Sequence, residues 1–137
     1  MAEAKGKIKL NAAPKDVWAL IGDFNALPKW HPGIAGSVIE KKDGNTYRHL
    51  TLGDGAKLTE ILEGHDDKEM KYSYAITVSP LPVDDYHSKL KVEADGSGSK
   101  VKWKGRFKAK GAGEDDVVKL ISGVYEAGLA ALKAKFG

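Results

Sequence analysis

The chain has 137 residues, 42% hydrophobic and 30% charged, which is the length and balance of one folded domain and excludes a disordered or collagen-like chain. It has no cysteine, which excludes disulfides, thiolate metal ligands and a cysteine nucleophile, and its net charge of +3 requires no nucleic acid or anionic membrane to explain it. No apolar run approaches the roughly 20 residues that cross a bilayer, and the opening MAEAKGKIKL has no signal-peptide core, so a cytoplasmic protein is expected.

Taken in chain order, Lys7 to Leu10 reads as a short strand with Ile8 and Leu10 on one face. NAAPKDVWALIGDF then reads as a helix. Pro14 suits its first turn, Asp16 favours the N-terminal dipole, and Val17, Trp18, Leu20 and Ile21 form its apolar stripe. NALPKWHPG has two prolines, so a short helical turn or a loop is expected, with Trp30 and His31 at the mouth of any cavity or simply in a polar loop.

From there the hydrophobic period changes to two. Strands are expected at about 36–42, 45–52, 56–64, 69–78, 85–94 and 99–110, joined by Asp- and Gly-rich links short enough for antiparallel neighbours. The segment SPLPVDD is the exception: its prolines exclude a tight hairpin and predict a shaped loop. In 99–110, Val101, Trp103, Gly105, Phe107 and Ala109 alternate with Lys100, Lys102, Lys104, Arg106, Lys108 and Lys110, one face dry and the other cationic. Tyr72 and Tyr74 take the dry side of their strand, as do Tyr86 and Ser88 of the next.

GEDDVVKLISGVYEAGLAALKAKFG closes the chain as a long amphipathic helix, acidic at its start and basic near its end. Val117, Ile121, Val124, Tyr125, Gly128, Leu129 and Leu132 fall on one face. An α+β fold follows: a twisted antiparallel sheet of about seven strands, curled around this helix. Two readings of the glycines compete. Gly123 and Gly128 cost helix stability and suggest unfilled space, or they permit close helix–sheet packing.

The stretch RHLTLGDGAKLTE carries the candidate site. With Gly53-Asp54-Gly55 as a three-residue turn, Leu50 opposes Leu58 and Arg48 opposes Glu60, which places a full cation and a full anion side by side on the apolar face. Pairing is what burial of two charges demands. The alternatives are a purely structural salt bridge, or a bulge that turns the hairpin outward. A carboxylate held in an apolar cavity can receive a ligand's polar end or serve as a general acid/base.

The motifs APKDVWALIGDFNALPKWHP, RHLTLGDGAKLTEILEGHDD, YSYAITVSPLPVDDYHSKLKV, VKWKGRF and GVYEAGLAALK together resemble the START/Bet v-like helix-grip superfamily, in its polyketide cyclase/dehydrase-like (SRPBCC) branch. The resemblance spans nearly the whole chain. It implies a curved seven-stranded antiparallel sheet around the long C-terminal helix, with two short helices after the first strand. The chain is more distantly similar to the plant abscisic-acid receptors. That similarity implies a gate at Gly53 to Lys57, a latch at Pro80, Leu81 and Pro82, and a ligand contact at Glu60. The chain departs from the receptors at the gate, which reads GDGA, and lacks their histidine-arginine latch.

The expected function is binding of a medium-sized hydrophobic small molecule between sheet and helix. Arg48, Glu60, Tyr72, Tyr74, Tyr86 and Ser88 would form its polar surroundings, with Trp103, Phe107, Val124 and Gly128 its apolar ones. A cyclase or dehydratase with Glu60 as general acid/base is the alternative, and an interaction module using the lysine-rich sheet face is a weaker one. No cofactor, metal, nucleic acid or integral membrane segment is expected. His31, His49, His65 and His87 lack metal-ligand spacing. No pattern speaks to oligomeric state.

Overall fold

A computed structural model describes residues 1–137. Its elements are β1 (Ala2–Leu10), α1 (Pro14–Ile21), α2 (Leu27–Trp30), β2 (Ile34–Lys42), β3 (Asn45–Leu52), β4 (Lys57–Asp66), β5 (Lys71–Val78), β6 (Val83–Asp95), β7 (Gly98–Ala109) and α3 (Glu114–Phe136). The sheet order is β1-β7-β6-β5-β4-β3-β2, antiparallel throughout, so the first strand returns to pair with the last. With α3 packed across the concave face, this is the helix-grip α+β fold expected from the sequence. The first strand is longer than its apolar pattern suggested, because Ala2 to Gly6 pair with β7 although only Ala2 and Ala4 there are buried.

The chemistry of the links explains the meander. Asp43 and Gly44 both take positive φ, as a two-residue hairpin turn between twisted strands requires. The β3–β4 turn closes with Gly55 N–H donating to Leu52 O at 2.9 Å and Asp54 Oδ1 accepting from Ala56 N–H at 2.9 Å. The 79–82 loop is shaped by Ser79 Oγ, which accepts from Leu81 N–H at 2.9 Å.

Two bulges govern what β4 presents. Thr77 is the extra residue opposite the Thr59–Glu60 step, and Glu63 is the extra residue between Leu62 and Gly64. Glu60 therefore opposes Ile76 on the inner face, and the second bulge brings His65 opposite Tyr72. Here His65 stacks on Tyr72 and its Nε2 donates to Gly22 O at 2.7 Å. The bulge does not turn the charged hairpin outward.

Helix α3 meets the sheet closely at one end and less closely at the other. A Cβ at Gly6 would lie 2.9 Å from Leu129 Cδ1, and one at Gly128 would lie 2.7 Å from His31 Cδ2 and 3.0 Å from ring carbons of both Trp30 and Trp103. Gly128 is thus a close-packing residue. Gly123 faces solvent with no atom within 4 Å of its absent Cβ. Unfilled space is not what these glycines report; it lies elsewhere along the helix.

Candidate functional site

Between the inner faces of β3, β4 and β5 and one side of α3 lies a cavity of about 160 Å³, lined by 16 residues of which 13 are hydrophobic. Leu50, Leu52, Leu58, Ile76 and Tyr74 form its sheet wall, and Ile121, Val124 and Tyr125 its helix wall. Leu27, His31, Gly33 and Ile34 close one side, and Leu81, Tyr86 and Trp103 another. Glu60 is the one charged residue in the lining.

The register derived from the sequence holds: Arg48 faces Glu60 and Leu50 faces Leu58. Arg48 is fully buried and spends its guanidinium on the protein. Nε donates to Glu60 Oε1 at 2.7 Å, and Nη1 donates to Phe24 O at 2.8 Å and to the Tyr72 hydroxyl at 3.3 Å. Nη2 lies 2.7 Å from the same Oε1, an ion pair whose direction does not make a hydrogen bond. Its carbon sits 4.1 Å from the centre of the Phe24 ring, 4.8 Å from Tyr74 and 5.6 Å from Tyr72, an aromatic cage of the kind that favours a desolvated cation. Burial acts to lower the Arg48 pKa, but Glu60 and the two tyrosines outweigh it and hold it above its ordinary value.

Both guanidinium contacts converge on Oε1, leaving Glu60 Oε2 with no protein partner. The sealed polar atoms without partners are Trp30 Nε1, Arg48 Nη2 and Ser99 Oγ, so Oε2 keeps surface open to the cavity. Burial raises the Glu60 carboxyl above the usual carboxylate range while Arg48 pulls against it. Two guanidinium nitrogens at 2.7 Å exclude a proton from Oε1.

A second polar group sits where Gly105 leaves a notch in β7. A Cβ there would overlap the Tyr125 hydroxyl, which reaches through the notch to Ser88. The donor directions are forced. Lys104 O can only accept, so Ser88 Oγ donates to it at 3.0 Å. Ser88 Oγ then accepts from Trp103 Nε1 at 3.1 Å and from the Tyr125 hydroxyl at 3.0 Å. Tyr125, its hydrogen spent, accepts from the Tyr86 hydroxyl. Burial pushes the Tyr125 phenol up to about 12 and lifts Tyr74 and Tyr86 well above their ordinary value, so all three stay protonated.

His31 is 3% exposed, part of the cavity wall and not a surface loop residue. Its Nδ1 accepts from Gly33 N–H at 3.0 Å and its Nε2 lies 2.7 Å from Val124 O, so the proton belongs on Nε2 and the ring is neutral. Burial lowers its pKa.

Of the residues expected at the site, Glu60, Tyr74, Tyr86, Trp103, Val124, His31 and Leu81 line the cavity. Arg48 and Tyr72 sit back from it behind Glu60, and Ser88 sits behind the Tyr125 hydroxyl. Phe107 is fully buried against the Tyr86 ring, and Gly128 and Trp30 belong to the closely packed end of α3. Gly53, Asp54 and Gly55 form an exposed turn tied to the wall through Gly53 N–H donating to Gly33 O at 3.0 Å; Pro80 is exposed and Pro82 half-buried. Sequence reasoning placed Tyr125 on the buried stripe without assigning it to the site. The glycine opposite it, at an inward position of β7, was the available signal. Outside the sheet, a separate cleft lined by Lys89, Lys91, Lys102, Lys104, Arg106 and His87 carries no hydrophobic residue.

Comparison with known proteins agrees with this geometry. No curated protein matches the chain. Among solved structures, the protein XoxI from Bacillus cereus is 38% identical, with TM-score 0.93 over 99% of this chain and 96% of that one. An uncharacterised protein from Bacillus thuringiensis is 35% identical, with TM-score 0.91 over 98% of each chain. The Zhui aromatase/cyclase from Streptomyces sp. R1128 is 16% identical, with TM-score 0.77 over 97% of this chain and 92% of that one, and shares the fold. The family described as polyketide cyclase / dehydrase and lipid transport matches residues 1–137. A helix-grip sheet, a mostly hydrophobic cavity and a match over every residue lead to one conclusion: this chain belongs to the polyketide cyclase/dehydrase and lipid transport family.

Proposed function

We propose that the protein binds a hydrophobic small molecule in the cavity between sheet and α3, with the molecule's polar end at Glu60. The observation that carries this reading is the partnerless Oε2 of a carboxylate 4% exposed, the one charged group in a mostly hydrophobic lining. Leaving a buried acceptor unsatisfied costs about 1–3 kcal/mol or more, which a ligand's polar group would recover. The family's description as cyclase, dehydrase and lipid transport supports the same class of ligand. The size differs from the expectation of a medium-sized molecule. A volume of about 160 Å³ is on the scale that holds a single aromatic ring, and a longer ligand needs the wall to open.

The test is gentle purification, native mass spectrometry and solvent extraction, with thermal stability measured across a set of single-ring and short-chain hydrophobes. A stoichiometric small molecule, or a midpoint raised by such compounds, is expected. An empty protein whose midpoint none of them moves would overturn the reading.

A second reading rests on the same oxygen. With its pKa raised by burial against a mostly hydrophobic cavity wall, Glu60 is suited to shift a proton in a dehydration or aldol-type cyclisation. A family substrate should then be turned over, and Glu60→Gln should lower the rate about 100-fold or more. A rate unchanged by that substitution would remove this reading.

A further inference from the structure

The order of the two charges decides which polar end the cavity accepts. From the sequence, both Arg48 and Glu60 are expected at the ligand's polar end. In the structure only the anion lines the cavity; the cation behind it is fully buried, with Nε donating to Glu60, Nη1 donating to Phe24 O and Tyr72, and Nη2 sealed beside Glu60 Oε1. While ionised, Glu60 Oε2 only accepts hydrogen bonds. The Tyr86, Tyr125 and Ser88 hydroxyl hydrogens are committed along the chain that ends on Lys104 O. The Tyr74 oxygen accepts from Trp103 Nε1 at 3.0 Å, which leaves its hydrogen as the one uncommitted hydroxyl donor in the wall.

Such a lining discriminates by head-group chemistry. A ligand carboxylate or phosphate would bring a second anion beside Glu60 with no cation within reach, and two carboxylates in one apolar site cannot both stay ionised. A purely hydrocarbon ligand would leave Oε2 unsatisfied. A hydroxyl suits the wall, since it donates to Oε2 and has lone pairs to spare for Tyr74.

Resting on the reading that this cavity is the binding site, we infer that its ligand is a neutral hydrophobe headed by a phenolic or alcoholic hydroxyl, and that molecules headed by carboxylate or phosphate are excluded.

Three shape-matched probes test this on the unmodified protein: toluene, p-cresol and p-toluate, titrated at neutral pH by calorimetry and by amide chemical shifts of cavity residues. Toluene reports on the cavity alone. p-Cresol should bind about tenfold or more tighter than toluene, as expected for a hydrogen bond to a charged group. p-Toluate should bind at least about tenfold more weakly than toluene. If toluene binds but p-cresol gains nothing, or p-toluate matches p-cresol, the head-group inference is wrong while the cavity remains a binding site. If none of the three binds, the binding-site reading itself falls and takes this one with it.

Discussion

His31 shows how a single residue here is defined by its two partners. Gly33 N–H fills the Nδ1 lone pair, and Val124 O accepts the Nε2 hydrogen, so one side chain ties the β2 approach to α3. Protonation would set an N–H at Nδ1 against the Gly33 N–H. Burial and geometry thus oppose the charged form, and the folded pKa lies below the ordinary 6.5. The sign of the linkage follows. Above about 6.5 both states hold neutral histidine and the contribution is fully present; as pH falls below that, the unfolded chain takes up the proton first and stability is lost. Comparing urea unfolding of wild type and His31→Gln isolates this effect from the other three histidines. The variant should be less stable at neutral pH, and the gap should narrow as pH falls from about 7 toward 5. A gap that stays constant would show that His31 does not titrate differently on folding.

At the scale of the element, α3 carries two glycines with opposite roles. Gly123 faces solvent and has only the entropic cost of glycine in a helix, so Gly123→Ala should stabilise the protein by about 1 kcal/mol. Gly128 has the same intrinsic cost, yet its missing Cβ is the space taken by ring atoms of His31, Trp30 and Trp103. Those rings are packed on their far sides as well, with Trp30 and Trp103 centroids 5.6 Å apart and Trp103 stacked on Tyr125 at 4.5 Å. Gly128→Ala should therefore destabilise by about 1–3 kcal/mol despite the gain in helix propensity. Chemical denaturation of the two variants checks both signs at once. Two equal gains would mean that α3 stands off from the sheet at both ends.

For the whole molecule, the outer sheet face concentrates charge in a way the net value of +3 conceals. The register sets Lys7, Lys102, Lys91 and Lys71 in one row across four strands, and Lys5, Lys104 and Lys89 in the next. Lys102 finds Glu93 at 2.7 Å and Lys104 finds Glu3 at 3.5 Å, while Lys5, Lys7, Lys71, Lys89 and Lys91 make no ion pair. Directly opposed like charges destabilise a sheet by tenths of a kcal/mol to about 1 kcal/mol per pair. Replacing Lys91 by Glu should convert two repulsive pairs into attractive ones and raise stability by about 0.5–2 kcal/mol at low salt, with the gain shrinking at physiological ionic strength. Urea unfolding of the variant and wild type at the two salt concentrations reads this directly. A loss of stability at low salt would show that the row is not self-repelling.

Much of this architecture was legible because its signals are periodic and local. Alternation along 99–110 needed no knowledge of its neighbours to separate a dry face from a cationic one, and β7 has that face buried at Val101, Trp103, Gly105 and Phe107. The Asp- and Gly-rich links set antiparallel order, and turn length alone set Arg48 opposite Glu60. Tertiary structure decided what depends on distance across the core. Whether α3 touches the sheet, as at Gly128, or leaves a cavity, as beside Ile121 and Val124, depends on rings contributed by α2 and β7, which no pattern within the helix encodes. Which of the two opposed charges meets the cavity depends on Phe24 and Tyr72 closing around Arg48 from separate elements. Pairing of the charges is a property of strand register, readable from spacing. Their order relative to empty space is a property of packing, and it exists only once the helices have closed over the sheet.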